Sequence, residues 1–87
     1  VELFEIDTVI RKINSVKNCL IFIRQINKYD QFLCAAIESQ FAKENIIIKH
    51  LKKKLPSYML PKKIKIFKKF PLNKNFKVDR SKIKNLF

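Results

Sequence analysis

Few side chains in this sequence are placed to do chemistry, and the most suggestive is Lys77. It lies between Phe76 and Val78 in the polar stretch PLNKNFKVDR, Pro71 to Arg80. It lies on a loop, where functional residues concentrate, and Pro71 and the flanking apolar side chains would restrain that loop. Other catalytic combinations are nearly absent. His50 is the only histidine, set among lysines, and reads as a surface or boundary residue rather than a base. Glu2, Glu5 and Asp7 sit where a helix would begin and read as charges that suit its positive end. No nucleophile has an adjacent base, so a self-contained enzyme is not expected.

Composition narrows the field further. The 87 residues make one small domain. There is no glycine, which excludes the P-loop, the dinucleotide-binding fingerprint and the GXXG clamp of KH domains. The net charge is +13 and unevenly spread. Residues 1–45 hold six basic and six acidic side chains, whereas residues 46–87 hold fourteen basic ones and the single acid Asp79. Such a half suits an anionic partner, or else is a solvated surface in a chain built largely of lysine, isoleucine, asparagine and phenylalanine. Cys19 and Cys34 lie within apolar runs and read as reduced, buried thiols of a cytoplasmic protein. If those runs pair around Asn27–Asp30, Cys19 opposes Glu38 and Cys34 opposes Ile23. Two separated cysteines and one histidine give no zinc site, and no metal site is expected. No apolar run approaches the ~18 residues of a membrane span. The chain starts with Val and leads directly into a helical pattern, which suggests a piece of something longer.

The elements that must position Lys77 follow from periodicity. Leu3, Ile6, Val9, Ile10 and Ile13 predict a helix over 3–13. The runs Cys19–Ile23 and Phe32–Ile37, separated by the turn residues Asn27–Asp30, predict an antiparallel hairpin with both faces at least partly covered. Ile47, Ile48, Leu51 and Leu55 predict a second helix over 44–55, ended by Pro56. Ser57–Pro61 is a connector. Lys63–Phe67 alternates polar and apolar residues, as a strand with one wet face does, and Arg80–Leu86 predicts one or two closing helical turns. The expected fold is α+β: a small three-stranded sheet with helices packed on it, in the order α-β-β-α-β-loop-α.

Three stretches, in order, carry a family resemblance. VELFEIDTVIRKINSVKN is similar to an I-E-L-G-E-I-E segment followed by a helix and strand. LKKKLPSYMLPKKIKIFKKFPL resembles a run written L-P-x-Y-M-x-P leading into a strand, and LNKNFKVDRSKI resembles N-G-K-V-D-R. Together they resemble the C-terminal subdomain of the adenylate-forming superfamily over essentially the whole of residues 1–87. The likeness is greatest to the adenylation domains of non-ribosomal peptide synthetases and to D-alanine–carrier-protein ligases.

The resemblance implies a mobile lid of a ligase that activates a carboxylic or amino acid with ATP, giving an acyl-adenylate. It places Lys77 as the catalytic residue inserted into the active site of a large N-terminal domain, with Asn75, Asp79 and Arg80 shaping the loop. ATP and Mg would be bound mainly by that large domain. A phosphopantetheinyl carrier protein or CoA would be the further partner. Phe4 and Phe76 depart from the pattern, standing where the family has glycine. They keep open a second reading, a diverged interaction module of the same fold without chemistry. A basic nucleic-acid binder is the third reading, but no nucleic-acid motif accompanies the charge.

Overall fold

The computed structural model describes residues 2–87. Its elements run α1 (Leu3–Arg11), β1 (Asn18–Gln25), β2 (Gln31–Glu38), α2 (Glu44–Lys54), a 3-10 turn (Ser57–Met59), β3 (Lys63–Phe67) and α3 (Arg80–Asn85). The sheet order is β1-β2-β3, with β1 antiparallel and β3 parallel to the central β2. This is the α+β arrangement expected from the sequence. Helix α1 ends two residues earlier than its apolar spacing implied. The Lys12 and Ile13 amides turn back to Val9 and Ile10, bonding three residues back and tightening the chain into a turn. No helix among the described residues is long and apolar enough to cross a membrane.

Residues Leu33 to Ser39 are buried because both sides of β2 are covered. On one side Leu33, Ala35 and Ile37 pack with Ile6 and Ile10 of α1 and Ile47 and Leu51 of α2. Ile64 and Ile66 of β3 join this core, while Lys63 and Lys65 stay exposed. On the other side Ala36 meets Phe70 and Ile83, with Leu20, Phe67, Val78 and Phe87 around them. The period-2 alternation of β3 and the continuous apolar run of β2 are thus the marks of an edge strand and a central strand.

The hairpin register differs from expectation by one residue. Cys19 pairs with Ile37, not Glu38, and Cys34 with Phe22, not Ile23. Residues 26–30 form a five-residue connection. The Asn27 Oδ1 accepts the amides of Tyr29 and Asp30 at 2.8 and 2.9 Å, and the Ile26 amide donates to the Asp30 carbonyl. That side-chain-closed turn takes one more residue than the Asn27–Asp30 turn assumed from composition, so every pair slips by one. The cysteines consequently lie on opposite sheet faces, both free and buried.

Cys19 is enclosed by polar partners from α1. Its Sγ lies 3.4 Å from the Asp7 carboxylate, which accepts from Arg11 Nε at 2.6 Å, and Arg11 also donates to the Cys19 carbonyl. Burial, reinforced by the Asp7 charge, pushes the Cys19 thiol up from 9.0 to about 12. A raised thiol value means that the unfolded chain ionises first. Its stabilising effect is complete below pH ~9 and declines as pH climbs toward ~12. Urea denaturation of the parent and Cys19→Ala from pH 7.5 to 11 should show the parent losing stability relative to the variant. A difference constant across that range would contradict the placement of this thiol.

Candidate functional site

The chain leaves β3 through Lys68 and Lys69 and is then drawn back under the sheet. Phe70 is buried, its ring edge-on to Phe67 at 5.5 Å, and its amide donates to the buried Glu38 carboxylate at 2.9 Å. From that anchor, residues 71–79 form a closed loop. The Asp79 amide donates to the Pro71 carbonyl at 2.9 Å, Leu72 bridges Val78 antiparallel, and the Asn73 amide donates to the Lys77 carbonyl at 2.7 Å. On the far side Val78 packs into the second core, and Asp79 caps α3 by accepting the Lys82 amide at 3.1 Å. Fully buried Ile83 pins the helix to the sheet.

Asn73 holds the tip of the loop. Its side-chain oxygen accepts the amides of Asn75 and Lys77 at 2.8 and 3.1 Å, while its carbonyl accepts the Phe76 amide at 3.0 Å. Both backbone polar groups of Lys77 are therefore tied to Asn73. The Lys77 side chain is exposed and forms no salt bridge among the described residues.

Phe76, just before Lys77, has φ 62°, the only positive φ among the described residues. Glycine takes this conformation without steric cost, whereas a residue with a Cβ meets its own carbonyl, at about 1–2 kcal/mol. The ring is 84% exposed, so packing does not compensate. The loop thus keeps the backbone shape that glycine favours, although phenylalanine occupies the position.

Of the residues singled out from sequence, Lys77, Asn75, Asp79 and Arg80 all fall in this loop or at the start of α3. Asn75 contributes its backbone amide, and Asp79 acts as the helix cap. Arg80 is exposed and lines a shallow concavity with Phe4, Asp7, Arg11 and Cys19. Asn73 was not singled out, although an asparagine at the mouth of a turn is the signal that marks it. His50 is half-buried beside Val9, Lys12 and Lys54. Among the described residues no three His, Cys, Asp or Glu side chains are grouped to hold a metal.

Lys62, Lys63 and Lys65 of the basic half line one shallow concavity with Glu44, and no residue of the Lys77 loop lines it. On the side of the sheet that carries α3, Arg24 donates to the Lys84 carbonyl and Lys65 to the Leu86 carbonyl at 2.8 Å. These two cations bond carbonyls at the C-terminus of α3, the Lys84 carbonyl also accepting the Phe87 amide. Exposed Lys63 and Lys65 also guard the free edge of β3 against pairing with another strand.

The chain as a whole has counterparts among known proteins. Residues 5–77 match the sequence profile of the AMP-binding enzyme C-terminal domain, reaching to Lys77 itself. The chain belongs to this family. A D-alanine–D-alanyl carrier protein ligase of Bacillus mycoides is 33% identical over 89 aligned positions, covering 94% of this chain and 18% of the relative. The Bacillus anthracis ligase is 34% identical with the same coverage. This AMP-binding C-terminal domain therefore spans about a fifth of the length of those curated relatives. It superposes on a four-domain nonribosomal peptide synthetase, solved with AMP and glycine, with TM-score 0.80 and 30% identity over 93% of this chain and 6% of that one. A fatty acyl CoA synthetase of Mycobacterium tuberculosis, 21% identical over 95% of this chain and 17% of its own, shares the fold with TM-score 0.75.

The strain at Phe76 is directly measurable. Phe76→Gly should raise stability by about 0.5–1 kcal/mol in urea denaturation, the relieved strain less the greater freedom of glycine when unfolded. Phe76→Ala, which keeps a Cβ, should change stability by less than about 0.5 kcal/mol. Destabilisation by Phe76→Gly would contradict the left-handed conformation.

Proposed function

We propose that this domain is the mobile C-terminal lid of an adenylate-forming ligase, with Lys77 as its catalytic residue. The observation that carries the reading is a lysine fixed at its backbone on both sides by one loop, with its side chain exposed and unpaired. Within the family, that loop belongs to the domain joined to a large N-terminal domain. In this reading the large domain binds ATP and Mg and holds the acid to be activated.

The reaction needs a cation that arrives late. A carboxylate oxygen attacks the α-phosphorus of ATP, and the bond from that phosphorus to the bridging oxygen of pyrophosphate breaks. The products are an acyl-adenylate and pyrophosphate. Two anionic groups must be brought together, and charge builds on the phosphate oxygens as they meet. The Lys77 ammonium, carried in by closure of the lid, bridges carboxylate and phosphate oxygens and stabilises that charge in a site from which water is excluded. A carrier-protein pantetheine or CoA thiol would then accept the acyl group. The curated relatives are named as carrier protein ligases, which favours a carrier protein.

Phe4 and Phe76 motivate a second reading, a docking module without chemistry. The backbone at Phe76 favours the catalytic reading instead, because the turn before Lys77 keeps the form that glycine would give it.

Carboxylate-dependent ATP–pyrophosphate exchange by the full-length parent tests the proposal. Lys77→Ala should lower exchange by about 10²–10³-fold, the cost of losing one positioned charge-stabilising donor. ATP affinity should change only a few-fold. Exchange at the parental rate in Lys77→Ala would refute the catalytic role.

A further inference from the structure

We infer that Asn73 is a positioning residue for Lys77, setting the orientation of the catalytic lysine through the loop backbone. The inference rests on the catalytic reading of Lys77 given above and adds a residue that the sequence pattern did not mark.

Four hydrogen bonds meet at Asn73, and every one goes to the three residues Asn75, Phe76 and Lys77. Two come to its side-chain oxygen, from the Asn75 and Lys77 amides. The other two are backbone bonds, one to the Lys77 carbonyl and one from the Phe76 amide. The backbone pair is available to any non-proline residue. The side-chain pair requires an acceptor oxygen at this position, and its two donors bracket the strained Phe76. The bond to the Lys77 amide fixes the peptide plane from which the lysine side chain departs. Without the acceptor, that amide turns to water and Phe76 is free to relax to negative φ, swinging the Cα–Cβ direction of the next residue. Nothing else among the described residues accepts a hydrogen bond from the Lys77 amide. Asn73 is itself exposed and lies outside both cores, so its removal takes nothing from the packing that holds α3 or the sheet.

A lysine whose reach depends on its backbone loses rate, not ground-state binding, when that backbone wanders. A misplacement of about 1 Å is enough for roughly 10²-fold. In the full-length parent, Asn73→Ala should lower kcat for ATP–pyrophosphate exchange by about 10- to 100-fold, with KM for ATP within about threefold. Asn73→Ser restores a shorter, weaker acceptor and should recover several-fold of that loss. The double variant Asn73→Ala/Lys77→Ala should be no slower than Lys77→Ala alone, because Asn73 acts only through the lysine.

Parental kcat in Asn73→Ala, no recovery in Asn73→Ser, or a further loss in the double variant would each overturn the inference. Lys77→Ala serves as the reference. If it is inactive while Asn73→Ala is fully active, the positioning role fails and the catalytic reading stands. If it retains parental exchange, both fall together.

Discussion

The hydrogen bond from the Phe70 amide to the Glu38 carboxylate decides where the loop can be. Glu38 ends the central strand, and its own carbonyl accepts the Lys17 amide that leads into β1. Its side chain then reaches to the segment that follows β3. One residue thus joins the first strand, the middle strand and the entry to the loop at a single corner of the sheet. The carboxylate is buried, so an unmade bond there would cost far more than a surface contact, and a charge-assisted bond at 2.9 Å satisfies it. Phe70 follows as the apolar part of the same anchor, under Ala36 and beside Ile83.

Beyond that corner the loop depends on polar bonds rather than packing. Residues 72–77 are all exposed, and the tip is shaped by Asn73 alone. A chain with no glycine must put a side chain at every turn position, and here the left-handed position carries phenylalanine. The strain at Phe76 is comparable to the net worth of one or two hydrogen bonds, so the Asn73 contacts and the closure between Pro71 and Asp79 are of the size needed to hold it. In the proposed reading, in which this loop meets a substrate, its geometry is kept in short-range bonds that survive exposure to solvent.

Much of this was legible in the residues. The Lys63–Phe67 alternation gave the third strand to the residue, because a period of two with one wet face admits little else. The burial of β2 on both sides followed from its unbroken apolar run. The hairpin register was not legible, because it depends on how many residues Asn27 gathers into the turn, and composition alone does not reveal which amides a side chain will accept. Asn73 escaped for the same reason. Its type marks it as a turn residue, but only the backbone path shows that the amides of Asn75 and Lys77 point at it. The left-handed turn at Phe76 was harder still, since local preference argues against it and the surrounding loop overrides that preference.

Arg24 and Lys65 are drawn into fixing α3, whereas the Lys77 side chain is held by its backbone alone. The most direct measurement is affinity labelling of the full-length parent with a lysine-reactive adenosine analogue carrying its electrophile in the phosphate position, followed by peptide mapping. The account predicts label concentrated on Lys77 and suppressed by ATP. Label spread over Lys62, Lys63, Lys68, Lys69 and Lys77 alike, and unaffected by ATP, would contradict it.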